Sequence, residues 1–303
     1  MIPVSTQTID EIVSESRLFL DIDESKTSLD EVSTRLTTLL RKADFRAFGT
    51  KLSKANIWHR ARISPPSEKI RDSLFELIYP NTPSKNFGRL NKPGNRVLYA
   101  AWNSITALDE VYAKAGGTAW TIHIRPRTNH QVTAILIGAL EQVHKSGRFL
   151  YPSQKTAEHL HHYLAALDPL DRMRAIYLDS FIAALFREPG NKRYKATSAL
   201  AEKILAADFT SIIYPSVQTV TAMNLAVRDA VFNQCFEVVS VQRSIIKSSY
   251  GYGLYAQGKA EVSNRFSSAG DIDWSASITA PPEYSLELGF TYPDNAPGWV
   301  VQN

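Results

Sequence analysis

Residues 97–112 read VLYAAWNSITALDEVY and decide the fold class, because a strand pattern is followed almost at once by a helix pattern. The apolar run 97–101 is typical of a short buried strand. Residues 104–112 place apolar side chains at helical spacing behind Ser104, the predicted N-cap. Further strands are predicted at 57–63, 120–124 and 211–214. Strands and helices in this mixed order predict an α+β fold.

The remaining sequence predicts three parts along the chain. A capping-box pattern, Ser28-x-x-Glu31, precedes apolar residues at helical spacing. Residues 131–207 have a mainly helical pattern, and the alternation of β-hairpins returns at 236–242, 253–262 and 275–279. The predicted parts are an N-terminal helical accessory segment (1–50), a core domain (51–245, with a long helical insertion at about 128–174) and a C-terminal β-hairpin extension packed on the core (246–303).

Composition excludes several classes of protein. With 303 residues, 44% apolar and 21% charged, the chain can bury a large core and is not disordered. Its net charge of +4 is too small for a dedicated nucleic-acid binder. The longest apolar run, 134–140, is far shorter than the roughly 20 residues of a membrane span. The single cysteine, Cys235, and the absence of a leader pattern at the N-terminus predict a cytoplasmic protein with no membrane partner.

Common metal and phosphate motifs do not occur in the sequence. His159 and His162 could share a helix face, but no cysteine pair or H-E-x-x-H accompanies them, so no metal site is predicted. There is no Walker loop, and Gly251 and Gly253 do not belong to a G-x-G-x-x-G pattern. The chain also has no G-x-S-x-G elbow.

The N-terminal charge pattern allows two interpretations. Acidic residues dominate 10–31, whereas 35–62 is strongly basic. Either the acidic face is solvated and packs beside the basic one, or the acidic segment lies over a basic ligand cleft and regulates access to it.

Four blocks of sequence carry a resemblance to a known family. They are Trp58-His59-Arg60-Ala61-Arg62, then 88–101 from Gly88-Arg89 to Ala101, then Thr106-Ala107-Leu108-Asp109-Glu110-Val111, and finally Ile212-Ile213-Tyr214-Pro215-Ser216-Val217 followed by Asn224-Leu225-Ala226-Val227. In this order they resemble the RES-domain family, which is named for an arginine, a glutamate and a serine. The resemblance covers about 57–127 and 175–245.

The resemblance implies an ADP-ribosyltransferase-like split β-sheet core, so that 51–245 would be a NAD-binding catalytic domain. It further implies a NAD-consuming toxin neutralised by a partner antitoxin, with NAD+ as substrate and no separate cofactor. The family's functional residues match Arg89, Tyr99, Glu110 and Ser216, and Arg60 matches its first-strand arginine. A homo-oligomer is left open.

These residue types suit cleavage of the nicotinamide–ribose bond, whose transition state resembles an oxocarbenium ion. Arginine is a planar, permanently charged clamp for a pyrophosphate, which makes Arg60 and Arg89 candidates for that contact. Tyr99 offers a flat partner for the nicotinamide ring.

Glu110 is the predicted carboxylate that binds the ribose hydroxyls and faces the developing cation. Ser216 could hold Glu110 or the ribose through its hydroxyl, and Asn91 and Asn224 are weaker NAD-binding candidates. Asp109 is predicted to point away, because consecutive helical side chains diverge by about 100°.

Three other functions remain open at this point. An ADP-ribosyltransferase would transfer the same group to a protein, and a catalytically idle member would act as a binding module. A nucleic-acid binder built on 35–62 is disfavoured by the small net charge. The filled catalytic positions favour an enzyme, and the outward Asp109 favours breakdown of NAD+ over modification of a protein.

Overall fold

The computed structural model describes residues 7–65, 73–79, 84–149, 154–206, 209–251, 253–280 and 284–285. The helices within these ranges are α1 (Ile9–Leu20), α2 (Leu29–Lys42), α3 (Leu74–Ile78), α4 (Ser104–Glu110), α5 (Ala139–Ser146), α6 (Gln154–Ala166), α7 (Pro169–Arg187), α8 (Tyr194–Ala206) and α9 (Asp229–Cys235). The strands are β1 (Phe48–Leu52), β2 (Trp58–Ser64), β3 (Val97–Ala101), β4 (Thr118–Pro126), β5 (Val132–Leu136), β6 (Ser211–Pro215), β7 (Met223–Arg228), β8 (Phe236–Gly251), β9 (Leu254–Gln257), β10 (Ala260–Ser263), β11 (Ile278–Ala280) and β12 (Tyr284–Ser285). The predicted α+β fold class is confirmed.

One twisted sheet organises these elements, in the order β1-β5-β6-β7-β3-β2-β4-β8-β10-β11. Strand β9 pairs with the end of β8 and with β12. Only β5 and β6 are parallel among the described pairs, and helices α5 to α8 form the connection between them. A parallel pair needs such a crossover, because a tight turn can only reverse the chain.

The sheet divides between β2 and β3. These neighbours share a single ladder pair, His59 with Ala101, whereas β2 pairs with β4 over seven residues and β3 pairs with β7 over five. The guanidinium of Arg60 lies at this division and donates to the carbonyl of Tyr99 at 2.9 Å. The two halves of the sheet are therefore linked there by a side chain as well as by the single ladder pair.

Both faces of the β5–β6–β7 half are covered. Helices α1, α2, α7 and α8 pack on one face, where Ile135 and Ile212 lie, and α5, α6 and α9 pack on the other, where Ala134 and Ile213 lie. On the other half of the sheet, helix α4 covers that first face around Ala61 and Ala119. A gap between α4 and α7–α8 is left on that face.

Two sequence predictions need correction. Residues 131–207 are mainly helical as predicted, but they begin with strand β5, so the helical interpretation is wrong for 132–136. A strand buried on both faces has a continuous apolar sequence, which does not differ from a buried helix in periodicity. The N-cap of α4 is Asn103, one residue before the predicted Ser104, and its side chain accepts from Thr106 N.

The other predicted helices and strands are present, except that the strand predicted at 275–279 begins only at Ile278, after a 3-10 helix at Trp274–Ala276. Strand β3 has the predicted bounds, and α2 begins after Ser28 as its N-cap. The predicted part boundaries at 50 and 245 fall inside β1 and β8, so both outer parts contribute to the same sheet as the core domain.

Candidate active site

A cleft of about 440 Å³ occupies the gap between α4 and the α7–α8 side of the sheet. The ladder pairs Ala101 with Asn224 and Asn224 with Tyr214, so these three side chains share the face of the sheet that forms the floor. Helix α4 contributes Glu110 to one wall, and the first residue of α8, Tyr194, contributes to the other. The cleft therefore contains residues that are far apart in the sequence.

The carboxylate of Glu110 is fixed by two donors on one oxygen. Its Oε1 accepts from Ser216 Oγ at 2.6 Å and from Asn224 Nδ2 at 2.7 Å. A carboxylate can only accept, so the amide nitrogen of Asn224 must face it. Asn224 Oδ1 is then buried without a hydrogen-bond partner among the described residues, at a position that borders the cleft. Glu110 Oε2 makes no hydrogen bond within the described ranges and is available to a ligand.

A turn at 216–219 is joined to the end of α4 by three hydrogen bonds. Besides the Ser216–Glu110 contact, Thr219 Oγ1 donates to Asp109 Oδ2 at 3.2 Å. Gln218 Nε2 donates to the hydroxyl of Tyr112 at 2.7 Å. The Ser216 hydroxyl also accepts from the backbone N–H groups of residues 218 and 219, both at 3.1 Å. The position of Glu110 thus depends on this turn.

Asp109 points away from the cleft, as predicted. Its Oδ1 accepts from the Tyr255 hydroxyl at 2.5 Å, and it does not line the cavity. Burial raises the pKa of Asp109 above its usual range, and the hydrogen bonds from Tyr255 and Thr219 oppose that effect. The C-terminal strand β9 therefore supports the site through Asp109.

Tyr99 lies on β3 with its ring in the cleft and its hydroxyl anchored behind it. The hydroxyl donates to Asn91 Oδ1 at 2.8 Å and accepts from Leu90 N at 3.0 Å. A glycine at 88 permits this arrangement, because a Cβ atom there would meet Asn91 Oδ1 at 2.2 Å. Burial raises the pKa of Tyr99, so the phenol stays neutral. Asn91 is buried and positions Tyr99 without lining the cleft.

Arg89 also lines the cleft. Its Nη1 donates to the backbone carbonyls of Phe186 and Glu188, at the end of α7. The guanidinium carbon lies 5.3 Å from the ring centre of Tyr194, which is a cation–π distance. The Nε and Nη2 groups make no hydrogen bond to the described residues, so an anion could use them.

Arg60 also borders the cleft, but its guanidinium is largely engaged by the protein. Its Nε donates to Leu77 O at 3.1 Å and its Nη1 to Tyr99 O at 2.9 Å. Burial lowers the pKa of Arg60 to about 10, so it remains charged at neutral pH. Its contact with NAD+ stays a prediction, and the observed contacts hold β3 against α3.

Two histidines beside the cleft are neutral. His59 lines the cavity, and its ring centre lies 4.8 Å from that of His123. Burial lowers the pKa of His59 well below its usual range, and it lowers the pKa of His123 to about 4. Neither ring adds positive charge next to Glu110 at neutral pH.

The structure thus brings five of the seven predicted residues to one cavity and places the other two directly behind them. Ser216 bonds to Glu110, and Asn91 bonds to Tyr99. Sequence reasoning missed several lining residues, among them Tyr112, Tyr194 and Gln218. Tyr112 is 67% exposed and has a left-handed backbone, φ 51°, which no sequence pattern signalled.

Further features of the described residues concern metal ions, the membrane and the thiol of Cys235. The described residues contain no group of three or more His, Cys, Asp or Glu side chains arranged to hold a metal ion. None of the described helices is long and apolar enough to cross a membrane. Cys235 is half-buried, and burial raises the pKa of its thiol.

The protein is an α+β domain whose sheet divides beside a cleft lined by arginine, tyrosine and glutamate side chains. Such a cleft is typical of a ligand-binding or catalytic domain, and it agrees with the predicted family. A family model of the RES domain matches residues 57–246, which is well over half of the chain. The chain belongs to the RES-domain family, and this membership is consistent with NAD-related toxin activity. A comparison with curated proteins found no match.

Proposed function

We propose that this protein is an enzyme that cleaves the nicotinamide–ribose bond of NAD+ and thereby acts as a toxin that depletes NAD+. The observation that carries the proposal is the Glu110 carboxylate, held by Ser216 and Asn224 in a cleft that also presents Tyr99 and Arg89. Membership of the RES-domain family supports NAD+ as the ligand.

Each part of the cleft has a task in this reaction. Arg89 contacts the pyrophosphate through Nε and Nη2, and Tyr99 packs against the nicotinamide ring. Glu110 Oε2 accepts from a ribose hydroxyl and faces the positive charge that develops on the ribose carbon. Since this charge is absent from the ground state, the carboxylate stabilises the transition state more than bound NAD+. Ser216 and Asn224 prevent the carboxylate from turning away.

The bond that breaks joins the nicotinamide nitrogen to the ribose carbon, and the electron pair leaves with neutral nicotinamide. Water as the acceptor gives ADP-ribose and a proton, and phosphate gives ADP-ribose phosphorylated at the same carbon. Asp109 is turned toward Tyr255, so the carboxylate next to Glu110 in the chain cannot orient a protein side chain for transfer. This arrangement favours a small acceptor over ADP-ribosylation of a protein, and a cognate antitoxin would act by covering or distorting the cleft.

The test is nicotinamide release from NAD+ with and without phosphate, in the full-length protein and in Glu110→Gln. Gln keeps the shape but removes the charge, so we expect a loss of at least 100-fold in kcat. The matched control is Glu158→Gln, which changes an exposed glutamate on α6 and should leave the rate unchanged.

Outcomes of this assay separate the candidate functions. Release of nicotinamide at the same rate in Glu110→Gln and in the unmodified protein would contradict the proposed role of that residue. Label from NAD+ that accumulates on protein would replace the proposal by ADP-ribosyl transfer. The absence of both free nicotinamide and protein label would leave a binding module.

A further inference from the structure

A second cleft, of about 640 Å³, adjoins the candidate active site. Tyr194 lines both cavities. The chain neighbours Phe87 and Gly88 line one cavity each, Phe87 the second and Gly88 the first. The contact of Arg89 with the Tyr194 ring therefore lies at the border between the two clefts.

Three cations line the second cleft: Arg193 and Lys195 are held by backbone carbonyls, and Lys192 Nζ lies 3.9 Å from Glu188 Oε1. Arg193 donates through Nη1 to Ile22 O at 3.1 Å. Lys195 Nζ donates to Glu24 O at 2.6 Å and to Thr27 O at 2.8 Å. A cavity whose cations are occupied in this way is better suited to an uncharged group than to a second phosphate.

The lining of the second cleft fits a flat heterocycle. Phe87 is half-buried and offers an aromatic surface, and stacking on an aromatic ring accepts any base. Asn86 and Asn191 are exposed at the same cavity and carry amide groups of the kind that pair with the polar edge of adenine.

The N-terminal turn between α1 and α2 builds one wall of this cleft. Glu24 is buried, and its Oε2 accepts from Lys195 N at 2.9 Å and from Ala196 N at 3.2 Å, at the start of α8. Asp23 and Ser25 line the cavity beside it. The acidic N-terminal segment is thus a structural part of a cleft next to the active site.

We propose that the second cleft binds the adenosine half of NAD+, with the pyrophosphate at the Arg89–Tyr194 border and the nicotinamide ribose at Glu110. A dinucleotide consists of two nucleosides joined by a pyrophosphate, and the two clefts on either side of an arginine match that order. This proposal rests on the proposed function and assigns the N-terminal turn to substrate binding.

The first experiment compares Phe87→Ala with the unmodified protein. We expect the KM for NAD+ to rise about tenfold, as for loss of a base-stacking ring, with kcat changed less than twofold. The conservative Phe87→Tyr should restore the KM. Nicotinamide mononucleotide lacks the adenosine half, so its inhibition constant against NAD+ should be the same in both proteins. Tyr250→Ala removes an aromatic ring that is 64% exposed at the end of β8 and serves as the control.

A second measurement does not need turnover. The Kd for ADP-ribose, measured by calorimetry, should rise about tenfold in Phe87→Ala, which removes the stacking ring. It should also rise in Asn191→Leu, which keeps the branched shape of the side chain but removes its amide group. Unchanged binding in both variants would overturn the adenosine site, as would an equal loss for nicotinamide mononucleotide. Tight ADP-ribose binding without nicotinamide release would contradict cleavage while supporting the site.

Discussion

Replacing Ser216 by alanine removes one of the two hydrogen bonds that hold the Glu110 carboxylate. The lost contact is the 2.6 Å bond from Ser216 Oγ, and the 2.7 Å bond from Asn224 remains. A hydrogen bond to a charged group contributes about 1.5–3 kcal/mol. If that free energy is lost from the transition state, kcat/KM for nicotinamide release falls about 10- to 150-fold.

The fold should survive this change. The turn at 216–219 remains joined to α4 through the Thr219–Asp109 and Gln218–Tyr112 hydrogen bonds. Two backbone N–H groups lose the hydroxyl as acceptor, so the free energy of unfolding should decrease by about 1–2 kcal/mol. Most of the kinetic loss should appear in kcat, because the carboxylate acts on charge that exists only in the transition state.

The assay is steady-state nicotinamide release, with urea unfolding measured on the same preparations. Ser244→Ala is the matched control, because Ser244 is also buried and donates at 2.6 Å to a side chain, that of Gln257. The Ser244→Ala variant should lose a similar free energy of unfolding, and its kcat should be unchanged. A Ser216→Ala enzyme within twofold of the unmodified rate would refute the positioning role, and so would an equal kinetic loss in Ser244→Ala.

Three further predictions concern the arginine at the cleft, a buried acid and a glycine with a left-handed backbone. Arg89→Lys keeps the charge but loses the planar fork and the stacking on Tyr194, so the KM for NAD+ should rise about tenfold in steady-state assays. Burial raises the pKa of Asp179 to about 6, so the folded protein holds this proton over a pH range in which the unfolded chain releases it. The free energy of unfolding should therefore decrease by up to about 3 kcal/mol from about pH 4 to pH 6, and urea unfolding of Asp179→Asn should lack that decrease. Gly138 has φ +79°, and a Cβ atom there would lie 3.1 Å from Ala183 Cβ, so Gly138→Ala should lower stability by about 1–3 kcal/mol in thermal unfolding.

The local elements and the site residues could be predicted from the sequence because each depends on a short pattern. Strand β3 is predicted by a bounded apolar run, and the strand at 57–63 is predicted by the alternation of apolar and polar residues. Seven site residues were predicted from four blocks, and the structure places all of them in or directly behind one cleft.

What the sequence could not predict are contacts between distant segments and structure that depends on burial. Strand β5 has helix-like periodicity because both of its faces are covered. The bonds between Glu24 and the start of α8 join residues 171 and 172 positions apart, and nothing local signals them. The two interpretations of the acidic N-terminal segment, a solvated face or a cover over a ligand cleft, both remain predictions.

The Glu110 anchor has a consequence for the order of events during synthesis. Its two partners follow it by 106 and 114 residues, and β8, which pairs with β4 in the other half of the sheet, comes later still. Once α4 has emerged from the ribosome, the nascent chain contains Glu110 but neither of the residues that orient it. Contacts between segments so far apart in the sequence also form slowly. Under the proposed function, catalytic competence would arise only after most of the chain has been translated, and a product that ends before Ser216 and Asn224 would lack both groups that orient Glu110.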